Sequence, residues 1–220
     1  MRGIVAVVPV KPLAQSKGRL RVALSPEQRR RLVLQMLADV IAALKGAPRI
    51  SRVLVVTADQ DVAAYAMTRG AEVLAEPSAS GLNAGVTRGL EAAQAAGHAA
   101  ALVLPADLPL ATAADIAQLV GLALGSRTPQ LAMVPAADGD GTNALLISPP
   151  LALAPAFGPG SFLAHLAQAL ARKIDVRVVH LASLAHDMDR PGDLGHLKGL
   201  DRYSFLEEPK LPTGTEILTQ

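Results

Sequence analysis

Asp107 stands alone between two prolines in Leu104-Pro105-Ala106-Asp107-Leu108-Pro109, directly after the apolar run 99–104. A run of that length ending in stiff turn chemistry predicts a strand buried on both faces of a parallel sheet. Ligands of open α/β sheets bind beyond the carboxyl ends of the strands, so Asp107 is a candidate oxygen ligand for Mg²⁺ carrying nucleotide phosphates. A turn acid or a helix cap would use the same residue type. Two more acids stand in His186-Asp187-Met188-Asp189-Arg190-Pro191, spaced so that both carboxylates leave an extended chain on one side. Acids so placed repel unless a cation or a basic partner lies between them. Alternatively, Asp189 caps a helix that begins at Pro191.

The basic loop 13–21 places Lys17, Arg19 and Arg21 around Gly18 with no acid among them. Such a loop can surround a triphosphate, or simply be solvated. It lacks the GxxxxGK[ST] pattern and is not a Walker A loop. Phe157-Gly158-Pro159-Gly160-Ser161 opens a helix with two glycines and a hydroxyl, and a helix start with accessible N–H groups binds anions. Asn83 either caps its helix or offers its amide to the base or ribose of a nucleotide. His165, one turn inside a helix, reads as a core or surface histidine.

The elements that must position these groups follow from periodicity and caps. Strands are predicted over 4–10, 52–57, 71–75, 99–104, 131–134, 144–147 and 176–181, and helices over 26–44, 59–69, 83–96, 113–124, 162–173 and 191–200. Ser25-Pro26-Glu27-Gln28 is a capping box with Pro at the first helical position. The stripe Leu32, Val33, Met36, Leu37, Val40, Ile41 and Leu44 faces that helix toward a sheet. Strict alternation of strand and helix up to residue 124 predicts a three-layer α/β/α sandwich with a mostly parallel sheet. Asp138-Gly139-Asp140-Gly141 then reads as a tight turn into a β-excursion covering a cleft.

With 220 residues, half of them hydrophobic, the chain can bury one full core. We expect one domain over 1–200 and a tail or docking arm over 201–220. No apolar run reaches the ~18 residues of a membrane span, and Met1-Arg2 lead straight into a strand, so a cytoplasmic protein is expected. The absence of cysteine excludes thiolate metal sites and cysteine nucleophiles. A formal charge of +2, two Tyr, three Phe and no Trp offer little to nucleic acid.

Pro9-Val10-Lys11, Lys17 and Arg19, Asn83, residues 104–109, Gly139-Asp140-Gly141-Thr142-Asn143, Phe157 to Ser161 and Asp187-Met188-Asp189 form an ordered set over residues 3–200. As a set they resemble the phospho-hydroxyacid guanylyltransferases of coenzyme F-420 biosynthesis, which act on 2-phospho-L-lactate, phosphoenolpyruvate or 3-phospho-D-glycerate. The resemblance implies a nucleotidyltransferase-like fold of the glycosyltransferase A type, GTP and a small phosphoacid as substrates, Mg²⁺ as cofactor and a homodimer. It assigns Asp107, Asp187 and Asp189 to the metal, Lys17 and Arg19 with Asp107 to catalysis, and Lys11, Asn83, Thr142, Gly158 and Ser161 to substrate binding, the last three holding the acceptor's phosphate or carboxylate. Two other readings use the same residues: a nucleotidyltransferase acting on a sugar phosphate or molybdopterin, and a non-catalytic nucleotide-binding protein.

Overall fold

The computed structural model describes residues 3–78, 81–122 and 129–208. Seven strands form one sheet: β1 (Ile4–Pro9), β2 (Ile50–Thr57), β3 (Glu72–Ala75), β4 (Ala101–Val103), β5 (Gln130–Pro135), β6 (Thr142–Ser148) and β7 (Asp175–Val178), in the order β3-β2-β1-β4-β6-β5-β7. The helices are α1 (Pro26–Gly46), α2 (Gln60–Thr68), α3 (Leu82–Ala95), α4 (Ala113–Gly121), α5 (Ser161–Ala171) and the single turn α6 (Ala182–Ala185). Every strand of β1, β4 and β5 is buried along its whole length, which is why their sequences are continuous apolar runs rather than alternating ones.

Two apolar clusters lie on opposite faces of the sheet. Ala6, Val8 and Leu102 point toward α1 and α4, while Val5, Val7 and Val103 meet Val86 and Leu90 of α3 and Ala169 of α5. Gly89 lets α3 approach this closely, since a Cβ there would lie 2.4 Å from Cγ1 of Val7. The result is the three-layer sandwich that alternation predicts. The capping box also forms: Ser25 Oγ accepts from the N–H of Gln28 at 3.2 Å, and Gln28 Oε1 accepts from the N–H of Ser25 at 2.9 Å.

The sheet departs from expectation at β6. It is not a flap over the cleft but a strand inserted between β4 and β5, antiparallel to both, with Val103 opposite Leu145 and Val134 opposite Ala144. Its residues are buried from Thr142 to Ile147, and only a place inside the sheet covers both faces of such a run. This reversal matters for the site. The amino end of β6, Thr142, falls on the same edge as the carboxyl ends of β1 and β4.

Smaller corrections lie after residue 174. β7 stops at Val178, the unforeseen α6 follows, and Pro191–Leu197 is a 3₁₀ segment rather than a longer α-helix. Residues 123 and 124, expected to end α4, lie outside the described residues. Asp201–Leu206 forms a 3₁₀ segment packed on α1, with Tyr203 and Phe205 buried. Tyr203 Oη donates to Asp39 Oδ2 at 2.7 Å, and Gln28 Nε2 donates to the carbonyl of Phe205 at 3.1 Å. Among the described residues no helix is long and apolar enough to cross a membrane.

Candidate active site

The carboxyl edge of β1 and β4 carries a cleft lined by Pro9, Lys11, Ser16, Lys17, Arg19, Asp107 and Asp189. The basic loop reaches it through two short 3₁₀ segments, Leu13–Gln15 and Gly18–Val22, with Lys17 in a left-handed conformation (φ 52°) at their joint. That bend turns the lysine inward. Its side chain is 7 % exposed, and Nζ lies 2.8 Å from Asp107 Oδ2 and 3.4 Å from Asp189 Oδ1. Arg19, which is largely exposed, reaches Asp189 Oδ2 with Nη1 at 2.5 Å.

The acids come together because the chain after α6 runs back over the end of β4, where the N–H of Met188 donates to the carbonyl of Asp107 at 3.0 Å. Met188 is fully buried, so its neighbours Asp187 and Asp189 face the cleft side. Asp189 does not cap the following turn. Asp193 does, its Oδ2 accepting from the N–H groups of Asp189 and Arg190 at 2.9 and 2.6 Å.

Burial opposes the charge of Lys17, but the carboxylates of Asp107 and Asp189 outweigh it and raise the lysine's pKa. Burial likewise pushes Asp107 up, while the charge and hydrogen bond of Lys17 bring it below the ordinary carboxylate value. Asp187 moves the other way. Burial raises its pKa, and the negative charge of Asp107 adds to the rise. Lys17 and Arg19 form their ion pairs with Asp107 and Asp189, and neither forms one with Asp187.

Of the two partners that acids so placed call for, a metal cation or a basic side chain, the structure shows the second. It is the ammonium of Lys17 that lies between Asp107 and Asp189, and among the described residues no three ligand side chains approach closely enough to cage a metal alone. Magnesium is commonly held by one or two carboxylates with substrate phosphates completing its shell. The donor set, all hard oxygens with Asp187 outside the ion pairs of Lys17 and Arg19, fits an ion that arrives with a nucleotide.

Thr142, Gly158 and Ser161 meet at one corner of the same edge. Ser161 Oγ accepts from the N–H of Thr142 at 2.9 Å, and both side chains are buried. His165 adds a third member: Ala156 N–H donates to its Nε2 at 2.9 Å, so the ring proton sits on Nδ1 and is donated to Thr142 Oγ1 at 3.0 Å. The Thr142 hydroxyl is left to donate elsewhere. The sequence reads His165 as a core or surface histidine and it is a core one, but its partners, 9 and 23 residues away, leave no local signal.

Burial pushes the pKa of His165 down to about 4. A histidine of ordinary pKa near 6.5 in the unfolded chain binds its proton first there. The stabilisation from keeping it neutral is therefore complete above pH 6.5 and is lost as pH falls toward 4, by about 3 kcal/mol. Urea unfolding across that range should show this loss, and His165→Gln should remove that part of the pH dependence. An unchanged pH profile in the variant would assign the loss to other groups.

Two expectations are corrected here. The start of α5 does not present open N–H groups: Gly160 N–H donates to Asp140 Oδ2 at 2.8 Å, Phe162 N–H to the Asp140 carbonyl at 3.1 Å, and Ser161 N–H to the Gly158 carbonyl. An internal carboxylate takes the place foreseen for a ligand's anion. A side chain at Gly158 or Gly160 would nevertheless meet no atom within 4 Å, so the loop borders open space. Asn83 neither caps α3, whose N-cap is Gly81, nor presents a spare amide. Its Oδ1 accepts from Phe157 N–H at 2.7 Å and its Nδ2 donates to Phe157 O at 3.0 Å, so it fastens the glycine loop to α3.

A mostly parallel sheet with a basic loop and acids at its carboxyl edge defines a nucleotide-dependent transferase. Solved structures agree on the fold: a nucleotidyl transferase from Methanothermobacter superposes with TM-score 0.69 at 19 % identity, over 94 % of this chain and 99 % of its own. Glucosyl-3-phosphoglycerate synthase of Mycobacterium tuberculosis, solved with Mg²⁺ and UDP, gives 0.60 at 17 % identity over 87 % and 73 %. The family is narrower. The model described as "Guanylyl transferase CofC like" matches residues 4–207, and the chain belongs to that family.

Relatives named phosphoenolpyruvate guanylyltransferase, from Rubrobacter xylanophilus and Sphaerobacter thermophilus, are 45 % and 42 % identical over 89 % of this chain and 93 % and 92 % of theirs. A 2-phospho-L-lactate guanylyltransferase of Methanothermobacter thermautotrophicus is 34 % identical, over 87 % of this chain and 82 % of its own. A 3-phospho-D-glycerate guanylyltransferase of Phenylobacterium zucineum is 37 % identical, over 86 % of each chain. The chain is a guanylyltransferase, a nucleotidyltransferase by activity.

Proposed function

We propose that this protein transfers GMP from GTP to a small phosphorylated acid and releases pyrophosphate, as a step of coenzyme F-420 biosynthesis. The observation that carries the reading is the Lys17–Asp107–Asp189 cluster at the strand ends, facing Arg19 and backed by Asp187. Phosphoenolpyruvate is the acceptor favoured by the relatives at 45 % and 42 % identity. A cytoplasmic homodimer accompanies this reading through the family resemblance.

Lys17 and Arg19 bind the GTP phosphates and offset the charge that develops on the leaving pyrophosphate. Asp107, Asp187 and Asp189 would hold Mg²⁺, which when bound neutralises the α-phosphate toward attack. Thr142 donates its hydroxyl to the acceptor, and Gly158 and Ser161 complete that corner. Lys11, exposed beside the cleft, adds to the positive field felt by Asp107. An oxygen of the acceptor's phosphate attacks the α-phosphorus, and the bond to the β-phosphate oxygen breaks. That nucleophile is ionised at neutral pH, so no general base is required.

The test is pyrophosphate release from GTP and Mg²⁺ with phosphoenolpyruvate, 2-phospho-L-lactate, 3-phospho-D-glycerate and a sugar phosphate in turn. Release with one phosphoacid at least tenfold above the sugar phosphate is expected. Release with the sugar phosphate alone overturns the reading.

A further inference from the structure

Beyond the phosphate end, the cleft continues along the end of β1 into a second hollow. The two share Pro9, Val10, Lys11, Gln15 and Leu82, so a ligand with phosphates at Lys17 extends from one into the other. Apolar Val56 and Leu82 border this hollow, and Gly81 and Gly85 border it without side chains, as a flat ring requires. One acid lines it: Glu76, at the carboxyl end of β3, whose N–H donates to the carbonyl of Thr57 at 2.9 Å. Its carboxylate lies against the first turn of α3. A Cβ on Gly85 would stand only 3.2 Å from Oε2 and 3.4 Å from Oε1 of Glu76, so the missing side chain makes room for that carboxylate.

We infer that Glu76 is the residue that selects guanine, its carboxylate accepting from the base's N1–H and N2–H at the far end of the cleft from Lys17. The inference rests on the placement of the GTP phosphates proposed above. Guanine presents two adjacent donors on that edge, and a carboxylate is a paired acceptor. Adenine turns the lone pair of N1 to the same place and would face the carboxylate with an acceptor. Gln15, the amide side chain on this hollow, borders the phosphate end as well, and Asn83 does not line the hollow and is bonded through both amide atoms to Phe157. Glu76 does not border the phosphate end, and so it acts on the choice of nucleotide rather than on the transfer step.

The experiment measures Kd for GTP, ITP and XTP by calorimetry with Mg²⁺ and no acceptor. ITP lacks the N2 amine, and losing one charge-assisted hydrogen bond should weaken its binding to the unaltered protein roughly ten- to a hundredfold against GTP. Xanthine carries an acceptor at position 2, so XTP should bind the unaltered protein least. Glu76→Gln offers an amide N–H₂ there, and should weaken GTP and strengthen XTP by roughly ten- to a hundredfold each. A variant that keeps the original ranking overturns the inference. Should the variant not fold, as judged by its melting transition, equal affinity of the unaltered protein for GTP and ITP overturns it instead. Failure of the acceptor reading shows separately, as absent pyrophosphate release while the base ranking holds.

Discussion

Asp107→Asn is expected to lower kcat for guanylyl transfer by roughly a hundred- to a thousandfold while the chain still folds. Asparagine keeps the shape and loses the charge, and Lys17 holds that carboxylate ionised against the pull of its burial. The backbone carbonyl of Asp107 still accepts from Met188, and Lys17 keeps Asp189, so both the turn and the lysine retain partners. Pyrophosphate release at saturating GTP and acceptor measures the loss, and urea unfolding checks the fold. A rate near that of the unaltered protein would return Asp107 to a turn residue.

Lys17→Met should produce two effects of opposite sign. GTP binding should weaken roughly ten- to a hundredfold, because a buried ammonium no longer meets the phosphates. Affinity for Mn²⁺ alone, read from the electron paramagnetic resonance of the free ion, should rise roughly tenfold, about one pKa unit's worth of interaction. The second effect follows from geometry: with Nζ gone from between Asp107 and Asp189, Asp107 loses its ion-pair partner and Asp189 keeps only the exposed Arg19. Unchanged Mn²⁺ affinity would mean that the ammonium does not stand in the ion's place. The pair of readouts separates a residue that binds phosphate from one that also excludes metal until nucleotide arrives.

The layers of this fold were legible because they rest on local rules. Ser25 and Gln28 cap one another three residues apart, and the stripe from Leu32 to Leu44 shows its face by spacing alone. Strand β6 was misjudged for the opposite reason. A short buried run looks the same whether it flanks a sheet or enters it, and only pairing with β4, some forty residues earlier, decides. The acids and cations of the cleft were visible by residue type, yet the contact of Lys17 with Asp107 spans 90 positions. Asn83 was singled out but its partner was not, because the backbone of Phe157, 74 positions on, has no side-chain signature. Glu76 left no motif at all; what marks it is the absence of a side chain at Gly85.

The 3₁₀ segment Asp201–Leu206 also bears on how the chain is made. Gln28 at the start of α1 is bonded to the carbonyl of Phe205, and Asp39 in the same helix accepts from both Tyr203 and Arg202. On the ribosome, α1 emerges well before these closing partners, which lie more than 160 positions further on. The apolar side of α1 that they cover stays open to water during most of synthesis, a period when sticky intermediates aggregate. Slowing translation near the middle of the message should therefore favour aggregation, and a nascent chain stalled with residues 201–206 still inside the ribosomal exit tunnel should be held more firmly by chaperones than one stalled after they have left it.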